Sequence, residues 1–139
     1  MALIQGHFFG MSKLIIMVNG SVYGPAAGFH ALKYTRAALQ AGHEVHCVFF
    51  YQDGVSQSNA LCAPASDELD LTAAWLQLAK EWQLNLVNCV SAALRRGVLS
   101  AQDAKDNAKA SANLAAGFTM GGLGELVTGL EKSDRLVSF

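Results

Sequence analysis

Cys47, Cys62 and Cys89 are the residues of this 139-residue chain best suited to chemistry. A thiolate attacks sulfur, and a thiol at a helix N-terminus is favoured in that form by unpaired N–H groups and the helix dipole. Cys89 follows a short strand pattern over residues 84–88, and a helical pattern over residues 91–96 comes after it. It therefore stands at a strand end before a helix, where α/β sheets collect ligands and reactive groups. Position alone favours the plainer state of a free cysteine, a small buried hydrophobe. Cys47 alternates with Val45 and Phe49 inside a strand pattern, which makes it core. Cys62 lies in a polar stretch, where it could be exposed and either relay sulfur or oxidise.

Metal and nucleotide chemistry find little support. The cysteines contain no C-x-x-C, which argues against a structural zinc site and a thioredoxin-like pair. His43 and His46 are three apart, and a strand would turn them to opposite faces. The stretch Asn19-Gly20-Ser21-Val22-Tyr23-Gly24-Pro25 follows the first strand, where α/β proteins bind anions. It lacks both the Gly-Lys-Ser/Thr ending of a P-loop and a G-x-G-x-x-G. A weaker role remains for Asn19, Ser21 and Tyr23, with Tyr51 and Arg95, as the lining of a pocket beside Cys89. Arg95 and Arg96 could hold an acidic partner tail or favour a Cys89 thiolate; the plain alternative is two solvated charges. No metal and no organic cofactor are expected.

The elements that must position these groups follow from pattern. Residues 14–18 form a continuous apolar run ended by Asn19-Gly20, as in a central parallel strand. Helical spacing over residues 26–40 puts Phe29, Leu32 and Leu39 on one side, and Gly42 closes the helix. Residues 45–51 read as a second strand and residues 56–64 as a polar loop. Ser66-Asp67-Glu68 looks like a helix start, with Leu71, Trp75, Leu78 and Trp82 as its buried stripe. Residues 84–88 make a third strand, and Ser100 to Asp103 resembles another helix start. Residues 117–124 form a Gly-rich stretch leading to a helix over 125–130, and residues 135–139 make a last strand. This alternation predicts an α/β fold: a single domain, mainly parallel sheet with helices on both faces.

Composition narrows the surroundings. Charged residues are 15% and hydrophobic residues 52%, where an ordinary soluble domain carries about 25% charged. A surface so poor in charge predicts coverage by a partner. A net charge of −1 and the absence of a basic run beyond Arg95-Arg96 argue against a direct grip on nucleic acid. No apolar stretch approaches the roughly 20 residues of a membrane span, and there is no secretory signal pattern. An odd number of widely spaced cysteines suits the cytoplasm. Residues 1–12 are expected to form an extension outside the fold, from an upstream start or a remnant of cloning, with the domain over 13–139.

Five segments in register carry a resemblance: FFYQDGV at 49–55, PASDELDL at 64–71, CVSAALRRG at 89–97, GFT at 117–119 with GLG at 122–124, and DRLVSF at 134–139. Together they resemble the TusD/DsrE sulfurtransferase family. The resemblance implies a DsrE-like α/β domain whose active cysteine falls on Cys89 and carries a persulfide. It implies TusB-like and TusC-like sister subunits in a heterohexamer with two of each, a TusA-like sulfur donor and a TusE-like acceptor. The sulfur would end in the 2-thiouridine of a tRNA wobble base. Three alternatives stay open: a DsrE-type subunit of sulfur oxidation with a DsrC-like partner, a non-catalytic scaffold subunit, and a flavodoxin-like nucleotide or flavin binder.

Overall fold

The computed structural model describes residues 11–139. Of the extension expected over 1–12, residues 1–10 lie outside the described residues. Ser12 donates its N–H to His43 Nδ1 at 3.0 Å and accepts from the Glu44 N–H through its carbonyl.

Five strands, β1 (Lys13–Val18), β2 (Glu44–Phe50), β3 (Leu86–Cys89), β4 (Phe118–Gly121) and β5 (Arg135–Ser138), form one sheet in the order β4-β3-β2-β1-β5. Every neighbouring pair is parallel. Parallel strands covered on both sides read as unbroken apolar runs, and Ile15, Ile16, Val18, Val48, Phe49 and Phe50 are all fully buried.

The helices are α1 (Ala27–Gln40), α2 (Leu71–Trp82), α3 (Val90–Arg95), α4 (Ala101–Asp106) and α5 (Leu123–Glu131). Alternation along the strands sends Ile16, Val18, Val48 and Phe50 to one face, where Trp75 of α2 meets Phe50 edge-on at 5.4 Å. Fully burying one such side chain contributes roughly 1.5–3 kcal/mol. Ile15, Cys47, Phe49 and Val87 point to the other face, where α5 comes so close that a Cβ on Gly129 would lie 3.0 Å from Ile15 Cδ1.

Several elements differ from the sequence reading. The helix expected to start at Ser66-Asp67-Glu68 starts at Leu71, capped by Asp70, whose Oδ1 accepts from the Ala73 N–H at 3.0 Å. Glu68 instead closes a turn, accepting from the Ala65 N–H. Phe29 and Trp82, placed on the apolar sides of their helices, are 41% and 43% exposed; Gly28, Ala31, Leu32, Thr35, Ala38 and Leu39 form the buried side of α1. The polar loop expected over 56–64 begins inside a 3-10 segment, Gln52–Ser58, in which Val55, Gln57 and Ser58 are buried. Strand β4 lies within the Gly-rich stretch, where a short edge strand with only Phe118 and Met120 as large side chains gives little periodic signal.

Cys47 is core as expected, 5% exposed. Burial, with the Glu125 carboxylate adding to it, raises its thiol from 9.0 to about 11. The unfolded chain therefore gives up this proton first. The stabilisation is intact below about pH 9 and is lost as pH rises to about 11. Thermal midpoints of the parent protein should fall more steeply across that window than those of Cys47→Ala; parallel slopes would contradict the assignment.

Candidate active site

Cys89 ends β3 and caps α3 in extended conformation, φ −65° and ψ 116°. It is 3% exposed. It pairs with Gly121 of β4, and it shares a face with Val87 by strand alternation, the face that α5 covers. The chain turns into α3 here because Ala92 and Ala93 seat against the core, and Gly97, at φ +75°, ends the turn in the left-handed region that glycine tolerates.

The 52–58 segment folds back along the carboxyl edge of the sheet. Tyr51 N–H donates to Val18 O at 2.9 Å, and Gly54 N–H donates to Tyr51 O at 2.9 Å. Gln57 is the hub: Oε1 accepts from Trp75 Nε1 at 2.7 Å, its carbonyl accepts from Thr72 Oγ1 at 2.8 Å, and Nε2 donates to Gly20 O at 3.2 Å. Ser58 Oγ donates to Val55 O and accepts from Asn88 Nδ2, so the residue before Cys89 is tied to this segment. Losing a partner of such a buried group costs about 1–3 kcal/mol. Asn88 Oδ1 has no partner among the described residues. Outside, Arg96 Nε pairs with Asp53 Oδ1 at 2.8 Å, with side chains 35% and 68% exposed. A pair so exposed contributes about 0–1 kcal/mol.

The five pocket residues expected beside Cys89 do not converge on one cavity. Asn19 turns toward β5, its N–H on Phe139 O and its Nδ2 on Ser138 Oγ. Two strand spacings, about 10 Å, separate the ends of β1 and β3. Ser21 Oγ donates to Tyr23 O, and Tyr23 donates its hydroxyl to Leu69 O at 2.9 Å. Tyr23 opens onto a cavity of about 270 Å³ shared with Cys62, Pro64 and Glu68. Its phenol is pushed up by burial and by the Asp70 and Glu68 carboxylates. Tyr51 follows β2, the strand beside β3, with its ring 6.4 Å from that of Phe49. Arg95 sits at the far end of α3, about 9 Å from Cys89 along the helix axis, and lines a different cavity.

Cys62 is half-buried, and burial and Asp70 push its thiol up. All three cysteines are free. No cluster of three or more His, Cys, Asp or Glu side chains among the described residues could hold a metal ion. No helix of the described residues is long and apolar enough to cross a membrane. Sequence reasoning missed Gln57, Ser58 and Asn88. The available signal was Asn88 itself, a polar residue inside an apolar strand, which must find a partner when buried.

Comparison with known proteins adds four findings. Residues 12–139 match the DsrE/DsrF-like family. The chain is 47% identical over 124 residues to a sulfurtransferase TusD homolog of Vibrio parahaemolyticus, covering 89% of this chain and 95% of the relative. It is 46% identical over 127 residues to a sulfurtransferase TusD of Klebsiella pneumoniae, covering 91% and 99%. The fold is similar to that of the crystal structure of ychN protein from E. coli, with a TM-score of 0.74, 20% identity, and coverage of 93% of this chain and all of that one.

Proposed function

The chain belongs to the DsrE/DsrF-like family and is a sulfurtransferase, and on that premise we propose that it carries sulfur as a persulfide on Cys89. One observation carries the choice of residue. Of the three cysteines, Cys89 alone stands where a strand of the sheet ends and a helix begins, the position where such sheets gather reactive groups. Cys47 is inside a strand, its thiol held protonated by burial.

The exchange is balanced without an oxidant. Cys89 gives up its proton, and its sulfur attacks the outer sulfur of a donor persulfide. A new S–S bond forms, the donor's S–S bond breaks, and the donor cysteine leaves as a thiolate. The Cys89 persulfide later yields its outer sulfur to an acceptor thiolate in the same way. With 3% exposure, Cys89 must gain access to the donor through local opening of the covering segments, which proteins undergo below the free energy of global unfolding.

The further reading follows the family resemblance. TusB-like and TusC-like sisters complete a cytoplasmic heterohexamer, a TusA-like protein donates, a TusE-like protein accepts, and the sulfur serves 2-thiouridine formation in tRNA. The net charge of −1 supports a carrier that leaves tRNA binding to another protein. The burial of Cys89 favours one rival, a scaffold subunit with an inert thiol.

The test is intact-protein mass measurement after incubation with a persulfide-loaded donor. The expected result is a gain of one sulfur, removed by reducing agent and mapped to the peptide containing Cys89. No gain, even with sister subunits present, would establish the scaffold.

A further inference from the structure

The cleft between the end of α3 and the segment after α4 carries charge without partners. Its cavity, about 430 Å³, is lined by Leu94, Arg95, Leu99, Asn107, Lys109 and Ser111 among others. Arg96–Asp53 is the one ion pair among the described residues, so neither Arg95 nor Lys109 has a carboxylate within 4.0 Å. The nearest acids in sequence are engaged on their own helix. Asp103 Oδ2 accepts from Ser100 in a capping box, and Asp106 Oδ1 accepts from Gln102 Nε2. Neither lines the cavity.

The walls are fixed in advance. Asn113 Oδ1 accepts from the Leu99 N–H at 2.8 Å while its Nδ2 donates to Gly97 O at 2.9 Å. On the opposite side, Lys109 N–H returns to Ala104 O at 2.8 Å, and Ala108 takes φ +54°. That left-handed turn, costing roughly 1–2 kcal/mol for a residue with a Cβ, sets the direction in which the chain leaves α4. Two free cations and a hydroxyl around a partly apolar hollow match a carboxylate-bearing peptide better than a neutral one, the Asn107 amide being turned back onto Asp103 O. A preformed site loses little entropy on binding it.

We propose that this cleft docks an acidic segment of a protein that exchanges sulfur with Cys89. The identity of the partner rests on the carrier reading; the binding chemistry does not. The cleft and Cys89 lie at opposite ends of α3, about 9 Å apart along its axis. A bound segment needs only about three extended residues to cover that length.

Chemical-shift titration of the full chain with hexaglutamate, read from backbone amides, tests this without any sulfur chemistry. Shifts should concentrate at residues 94–99 and 107–111, and hexaglutamine should produce none. Arg95→Gln with Lys109→Gln should weaken binding about tenfold, as expected for two exposed charge contacts. Lys80→Gln, at an exposed cation on α2, should leave it unchanged. Cys89→Ser should bind like the parent, so failure of sulfur loading and failure of docking are read separately. Hexaglutamate binding that survives the double substitution, or equal shifts from inorganic phosphate alone, would overturn the assignment.

Discussion

Cys89→Ser is expected to reduce persulfide loading to background while the protein still folds. Serine keeps the size of the side chain but offers no sulfur to attack. Its hydroxyl enters a site that is 3% exposed, and burying a hydroxyl without a partner costs about 1–3 kcal/mol. Circular dichroism and urea titration should therefore report an intact but less stable fold. Cys89→Ala, which brings no hydroxyl, controls for that cost and should also fail to load. Cys62→Ser should load normally. The decisive measurement is the intact mass of all three variants after the same donor treatment. Loading that persists without Cys89 and disappears without Cys62 would move the carrier to the half-buried cysteine.

The second large effect is structural. A Cβ on Gly54 would lie 1.9 Å from Val18 O and 2.7 Å from Val18 C. Both are backbone atoms at the end of the interior strand β1, so no side chain can move aside. Gly54→Ala must lift the 52–58 segment off the sheet edge, breaking the approach that the Tyr51 to Val18 hydrogen bond fixes. We expect a loss of about 3 kcal/mol or more, at the upper end for overpacking, measured as a lowered urea midpoint. Trp75 fluorescence should change as well, since the indole donates to Gln57 in that segment. A variant as stable as the parent would show that the segment does not pack as described.

The sheet was legible in the sequence because parallel strands buried on both faces leave apolar runs; β1 shows one directly, and β2 and β3 show it with interruptions at His46 and Asn88. The place of Cys89 at a strand end was legible in the same way, since the strand pattern stops there. β4 escaped because it is four residues long at the sheet edge, where tertiary pairing outweighs propensity. The start of α2 was misplaced by four residues because Ser66 and Asp70 both offer capping oxygens, and only packing of the Leu71 stripe decides between them. Residues 56–58 read as the start of a polar loop because Ser56, Gln57 and Ser58 are polar. The burial of Gln57 and Ser58 depends on partners contributed by Gly20, Thr72, Trp75 and Asn88, a convergence that no local pattern encodes. The five supposed pocket residues failed to converge for a related reason. Sequence places four of them near strand ends and Arg95 on the helix after β3, but the order β4-β3-β2-β1-β5 decides which ends are neighbours.

That strand order also has a kinetic meaning. β5 joins the sheet against β1, with a supporting bond from Lys13 N–H to Asp134 Oδ2 that spans 121 positions. β5 is the last strand of the described chain. While the protein is being synthesised, β1 must wait with one row of backbone groups unpaired until the last strand leaves the ribosome. Such long-range closure slows folding, and an open strand edge invites pairing with another molecule. Aggregation during expression should therefore respond more to the speed of this final step than to the stability of the finished fold.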